Sequence, residues 1–288
     1  MRDLFVLLRP TQWVKNAFVL APLVFAQRFF EAQDFAHAGT AVVSFCLASS
    51  AAYVFNDIVD RERDRGHPLK RERPVASGRV SVGRAAVTGV ASLFAGLGLA
   101  GAVGPHFVAV VGAFCLLQIL YSTILKNIVV LDSMSIALGF TLRAAGGVVA
   151  VQADMSPWLL VCTFLLALFL ALGKRRHEST LLGDDAGLHR DVLGRYSLKV
   201  LDQFIAISAV STMIIYSLYC VSPQVAAKLG TEYLYMTIPF VVFGVFRYLF
   251  LVYGREKGGS PTDVLLGDLP LQFGIFGWIT SVFVLLYR

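Results

Sequence analysis

Long apolar runs recur along the whole chain, separated by short polar breaks. Nine stand out, near residues 12–30, 38–58, 83–103, 106–124, 128–150, 157–173, 200–221, 233–253 and 270–287. The runs are continuous and do not alternate residue by residue, which predicts helices and not the strands of a barrel. About 20 residues cross the hydrocarbon core as a helix. The pattern therefore predicts an all-α fold, a polytopic membrane helix bundle of about nine transmembrane helices. The first and sixth runs are the weakest, each short and polar at one end. No gap is long enough for a soluble domain, so residues 1–288 read as one integral-membrane domain. The longest connections, 59–82 and 174–199, are rich in charge.

Composition agrees. Of 288 residues, 57% are hydrophobic and only 15% charged, where a soluble domain carries about a quarter. The opening "MRDLFVLLRPTQWVKN" does not read as a cleavable signal peptide. Its apolar stretch is short, Arg9 and Lys15 break the residues after it, and no small-residue cleavage site is present. Cys46, Cys115, Cys162 and Cys220 each lie alone in an apolar run, with no metal-ligand spacing, and are expected to be small buried hydrophobes.

Charge placement fixes the expected orientation. With a cytoplasmic N-terminus and nine spans, only Arg28, Lys228 and Arg288 of the 25 basic residues fall outside, as the positive-inside rule requires. The two long charged loops then face the cytoplasm and can meet over one cavity. The net charge of +6 is accounted for by orientation and anionic ligands, and nothing points to nucleic acid. The expected location is the cell inner (plasma) membrane. The oligomeric state stays open, a homo-oligomer included.

The end of the second run carries the candidate chemistry. Asn56, Asp60 and Asp64 stand at i, i+4 and i+8, along one stripe of a helix, with Asp57 one step round. Carboxylates this close repel one another at a membrane surface unless cations neutralise them. The neighbouring arginines are one answer and a metal the other. Oxygen ligands without His or Cys suit Mg2+, which bridges carboxylates to a diphosphate. Asn56, Asp57, Asp60 and Asp64 are the expected metal ligands, and the three aspartates the catalytic candidates. The basic residues just beyond them would take the charge that the metal does not.

"NDIVDRERDRGHPLKRERPVASG" resembles the first aspartate-rich motif of the UbiA-type intramembrane prenyltransferases. So do "LRPTQWVKN" at the start, "YSTILKN" at 121–127 and the nine-span count. The resemblance implies a nine-helix bundle holding Mg2+-diphosphate in a central cavity open to the cytoplasm. Ordinary members carry a second D-x-x-x-D motif after the sixth span. Here Asp184, Asp185 and Asp191 lack that spacing, and the basic run Lys174, Arg175 and Arg176 precedes His177 and Glu178. "LALFLALGKRRHE" and "VLGRYS" instead resemble the branch acting as polyprenyl-phosphate phosphoribosyltransferase. That branch implies phosphoribosyl pyrophosphate as donor and a polyprenyl (decaprenyl) phosphate as acceptor. The implied product is an arabinose-donor precursor for cell-wall or glycan synthesis.

Other side chains are candidates for substrate contacts. Lys15 and Asn16 either reach a phosphate or, for the lysine, mark a side chain that snorkels at the interface. Lys70 and Arg73 either bind the lipid phosphate or form a solvated face. Tyr121 and Lys126, by resemblance, face the cavity. Asp132 and Arg143 lie inside the fifth span, where ionisable groups are functional candidates or internal partners. Lys174, Arg175, Arg176 and Glu178, with Tyr196 and Lys199 at the loop's end, are expected to contact the donor 5-phosphate or the lipid phosphate. Two other readings compete: an aromatic prenyltransferase using a prenyl diphosphate, and a transporter. The missing D-x-x-x-D weakens the first. Charge gathered at one face and the lack of an internal repeat weaken the second.

Overall fold

The computed structural model describes residues 2–66, 68, 70–182, 192–254 and 261–288. Asp184, Asp185 and Asp191 therefore lie outside the described residues, as do Arg255 and Lys257. Among those described, eight helices are long and apolar enough to cross a membrane. They are α1 (Ala32–Val59), α2 (Val82–Val103), α3 (Pro105–Thr123), α4 (Leu131–Ala150), α5 (Pro157–Leu182), α6 (Leu198–Val221), α7 (Ile238–Gly254) and α8 (Leu269–Tyr287); the seventh span also takes in the 3-10 turn Tyr233–Thr237 and so covers Tyr233–Gly254. The protein is a multi-pass membrane protein.

The first expected span differs. Pro10–Leu20 forms a 3-10 helix of 11 residues, followed by a short α-helix, Ala21–Phe25. At about 2.0 Å per residue the 3-10 segment runs about 22 Å, where an α-helix of that length would run about 16 Å. Runs of this length are uncommon because the backbone bonds are poorer, and side chains supplement them here. Trp13 Nε1 donates to Ser50 Oγ at 3.0 Å and Asn16 Nδ2 to Cys46 Sγ at 3.2 Å.

The chain divides into two compact units. One comprises residues 1–23, 31–135 and 142–154, the other 24–30, 136–141 and 155–288. In the first, α1 packs most extensively on α2. Gly96 allows this, since a Cβ there would stand 3.1 Å from the Ser44 carbonyl. Two serines bond across the same seam, Ser44 Oγ to the Gly96 carbonyl at 2.8 Å and Ser92 Oγ to the Leu47 carbonyl at 3.0 Å. Small residues and hydroxyls are what bring helices together in lipid, where apolar burial supplies no drive between them. Phe45, edge-on to Phe107 and Phe114, centres the core of this unit. A second cluster of Leu7, Val54, Val75, Val80 and Ala85 pins residues 75–80 beneath the end of α1.

In the second unit α5 packs on α6. Tyr216, Cys220, Leu234, Val282 and Leu286 form its core. The Tyr216 hydroxyl accepts from Trp278 Nε1 at 2.7 Å and pairs with Thr237 Oγ1 at 2.7 Å. All four cysteines are free; Cys46 and Cys220 are buried, Cys115 and Cys162 only partly.

Candidate active site

At 28 residues α1 is about 42 Å long, so its last turns reach past a hydrocarbon core of about 30 Å. The helix ends at Val59, Asp60 caps it, and a short helix Arg61–Gly66 comes next. The Asp60 N–H still donates to the Asn56 carbonyl at 2.9 Å, and the Asp64 N–H to the Asp60 carbonyl at 2.8 Å. The i, i+4, i+8 stripe thus survives the break.

Cations from three other segments converge on the acids. Asp57 is 1% exposed, and its Oδ1 accepts from Arg9 Nη2 at 2.5 Å and Arg73 Nη1 at 3.1 Å. Arg73 Nη1 also donates to Asp64 Oδ2 at 2.6 Å. Lys126, in the 3-10 turn Leu125–Asn127, donates to Asp60 Oδ1 at 2.5 Å. Burial pushes the Asp64 carboxyl up from its ordinary value, and Arg73 beside it pulls the other way. Burial also pulls Arg9 down, while Asp57 raises it and Arg73 lowers it further. Two guanidiniums share one carboxylate oxygen, so each cation is held against repulsion from the other.

The donor set fits a hard cation. One oxygen of each aspartate is bonded to a cation, and the other accepts no hydrogen bond among the described residues. Asp57 Oδ2 is buried in that condition, which is costly unless a partner arrives. Among the described residues no three His, Cys, Asp or Glu side chains converge as a ready-made metal cluster. The geometry is that of acids held by arginines and a lysine, with spare oxygens. The Asn56 side chain is half-buried.

In the second unit the basic run is helical and not a loop. The helix α5 extends through Leu182, with Lys174, Arg175 and Arg176 in its last three turns. None of them is in the last turn, so acidic side chains and not the helix terminus offset their charge. Arg175 is 1% exposed and donates through Nη1 to Glu178 Oε2. Lys174 Nζ lies 3.8 Å from Glu178 Oε1. Arg176 Nε donates to Asp202 Oδ1 at 2.7 Å, and its guanidinium stands 4.1 Å from the centre of the Tyr253 ring. Tyr253 donates to the same Asp202 oxygen at 2.9 Å. Tyr196 is buried and Lys199 exposed.

A model of the UbiA prenyltransferase family matches residues 17–262. The chain belongs to the UbiA prenyltransferase family. It is 34% identical to decaprenyl-phosphate phosphoribosyltransferase of Corynebacterium glutamicum, over 97% of this chain and 85% of that one. It is 33% identical to the enzyme of the same name from Mycolicibacterium smegmatis, over 97% and 91%. The solved structure of a UbiA homolog from Archaeoglobus fulgidus bound to GPP and Mg2+ superposes with a TM-score of 0.75. That pair is 18% identical, covering 99% of this chain and 100% of the other.

Against this UbiA frame the expected residues separate into groups. Asp57, Asp60, Asp64, Arg73 and Lys126 come together. Lys15, Lys70 and Tyr121 are half-buried in the same unit. Arg143 lies instead in a second buried cluster, donating through Nε to Asn16 Oδ1 at 2.6 Å and through Nη2 to Ser49 Oγ at 3.0 Å. Gly147, on the same helix, lets the Val19 carbonyl approach where any Cβ would collide. Asp132 is fully buried in the first turn of α4. Sequence reasoning counted Arg9 only as an orienting charge and missed it as a member of the acidic site. The available signal was an arginine directly before Pro10 in "LRPTQWVKN". Arg9 has φ 53° and ψ 58°, a left-handed conformation that non-glycine residues hold at a cost and that clusters at functional sites.

Proposed function

We propose that the chain transfers the 5-phosphoribosyl group from 5-phosphoribosyl 1-diphosphate to a polyprenyl phosphate, releasing diphosphate. One observation carries the reading. Near-full-length relatives at 31–34% identity are named decaprenyl-phosphate phosphoribosyltransferase, and decaprenyl phosphate is accordingly the expected acceptor. The residues agree with it: a site of three aspartates interleaved with Arg9, Arg73 and Lys126, and a second cluster dominated by cations at the end of α5.

In the reaction the bond from ribose C1 to the diphosphate oxygen breaks, and its electron pair leaves with the diphosphate. A phosphate oxygen of the lipid forms the new bond at C1. That oxygen is already ionised at neutral pH, so no strong general base is needed. Asp57, Asp60 and Asp64, with Asn56, would hold Mg2+, which when bound neutralises charge developing on the leaving diphosphate. Arg9, Arg73 and Lys126 supply N–H donors for phosphate oxygens in the same place, the arginines as forks and the lysine as a point charge. Lys174, Arg175 and Arg176, with Glu178 holding two of them, are assigned to the 5-phosphate or the lipid phosphate. Tyr196 and Lys199 complete that assignment, and Lys15, Lys70 and Tyr121 are secondary contacts.

We place residues 1–288 as one catalytic domain in the plasma membrane, with the acidic site facing the cytoplasm, on the bias of basic residues between loops. The test is purified protein in detergent with labelled phosphoribosyl diphosphate, decaprenyl phosphate and Mg2+. A labelled lipid that requires all three is expected. No such lipid, together with turnover of a prenyl diphosphate and an aromatic acid, would replace this reading with prenyl transfer.

A further inference from the structure

We propose that Ser50 is a positioning residue that sets Arg9 against the acidic cluster, an inference resting on the diphosphate reading of that site. Ser50 is fully buried on α1, just under two turns before Asp57. Its hydroxyl works in both directions. It accepts from Trp13 Nε1 at 3.0 Å and donates to the Leu8 carbonyl at 2.8 Å. Leu8 and Trp13 flank the turn in which Arg9 sits, so one side chain clasps both sides of it.

That turn needs a clasp. Arg9 is left-handed (φ 53°, ψ 58°), and the cost of this conformation for a residue with a Cβ is of the order of one net hydrogen bond. Glycine would adopt it freely but carries no charge to reach Asp57. Local backbone bonds help, from the Arg9 N–H to the Val6 carbonyl at 3.1 Å and from the Gln12 N–H to the Arg9 carbonyl at 2.9 Å. Both are internal to the N-terminal segment. They shape the turn without fixing where it lies on α1. The Ser50 bonds, with the Tyr53 ring 5.1 Å from the Arg9 guanidinium, attach it to the helix that carries Asp57. The guanidinium is thereby delivered from a segment 48 positions away in sequence, with Nε and Nη1 making no hydrogen bond among the described residues. They remain for an incoming phosphate.

Two measurements test this, one without substrate. Melting temperatures of Ser50→Ala, Arg9→Gln and the double variant form a cycle. If Ser50 acts through Arg9, the double variant falls clearly less than the sum of the singles, because Ser50→Ala has already released the guanidinium. Strict additivity would overturn the proposal. In the transfer assay Ser50→Ala should raise the KM for phosphoribosyl diphosphate about tenfold and leave that for the lipid phosphate within twofold. A lower melting temperature with an unchanged donor KM would show a serine that merely packs, and also overturn it. Trp13→Phe, which removes one of the two bonds, is the second variant should Ser50→Ala not fold, with a smaller shift expected in the same direction. If the native protein makes no labelled lipid, the reading of the activity fails, while the melting cycle still decides the role of Ser50.

Discussion

The end of α1 and the end of α5 are both dense in charge, but they are built differently. At the end of α1 each aspartate carries a cation that arrives from another segment, and each keeps an oxygen with no hydrogen bond among the described residues. At the end of α5 the balance is reversed. Three cations in sequence meet Glu178 from their own helix and Asp202 from α6. The first is an arrangement with anionic capacity in reserve, suited to a divalent cation. The second sets three cations against two acids, a balance suited to a phosphate.

The sharpest way to break the contrast is to remove the acids. Asp57→Asn, Asp60→Asn or Asp64→Asn should each lower transfer by about 100-fold or more, the scale for losing electrostatic stabilisation of a leaving group. Initial rates at saturating Mg2+ measure this, with size-exclusion profiles confirming that the variants fold. Chelation of divalent cations should abolish native turnover, and added Mg2+ should restore it. Turnover that survives either treatment would reduce the acidic stripe to a charged helix end.

Next in size is Arg73→Gln. This removes the one side chain among the described residues that bonds both Asp57 and Asp64, two buried carboxylates. Leaving them without it should cost about 2–3 kcal/mol, a fall of about 5–10 °C in Tm for a chain of this size. The informative part is the response to metal. Mg2+ should raise the Tm of Arg73→Gln more than that of the native protein, because the oxygens that Arg73 held become available. An equal rise in both would show that the cation and the arginine do not compete for the same acids.

Much of this was readable from the chain and some was not, for identifiable reasons. Eight spans follow from continuous apolar runs, and the acidic stripe from its i+4 spacing, which outlasts the helix break at Asp60. The 3-10 form of residues 10–20 was not readable. It depends on Trp13 and Asn16 finding Ser50 and Cys46, contacts that lie 30 or more positions apart. Pairing was equally hidden: Lys126 reaches Asp60 across 66 positions, and Arg143 reaches Asn16 across 127. The "GKRRHE" stretch looked like a loop because it is charged. Yet Glu178 and Asp202 offset its charge, and α5 runs through it.

A smaller effect is expected at the end of α5. Lys174→Gln leaves Arg175 on Glu178 and removes a cation whose side chain is 38% accessible, 3.8 Å from the carboxylate. The KM for phosphoribosyl diphosphate or for the lipid phosphate should rise about three- to tenfold, with the Mg2+ requirement unchanged. Which of the two KM values moves identifies the phosphate this cluster takes. The shift should shrink as salt is raised, since a part-exposed cation is screened. A changed Mg2+ requirement would instead tie this cluster to the metal and erase the contrast.

The smallest expected effect separates the two arginines of that run. Arg176 is tied to another helix through Asp202, and its guanidinium stands over the Tyr253 ring. Asp202 is 38% exposed, so the pair is screened and worth about 0.3–1 kcal/mol. Asp202→Asn should therefore lower Tm by about 1–4 °C and leave both KM values within twofold, because the Tyr253 ring still holds the guanidinium in place. Such a result would make Arg176 a link between α5 and α6 and leave Lys174 and Arg175 as the phosphate-binding end of the helix. A KM rise of tenfold with no change in Tm would say the opposite. Asp202 would then be aiming Arg176 at a ligand, and all three cations of the run would belong to the site.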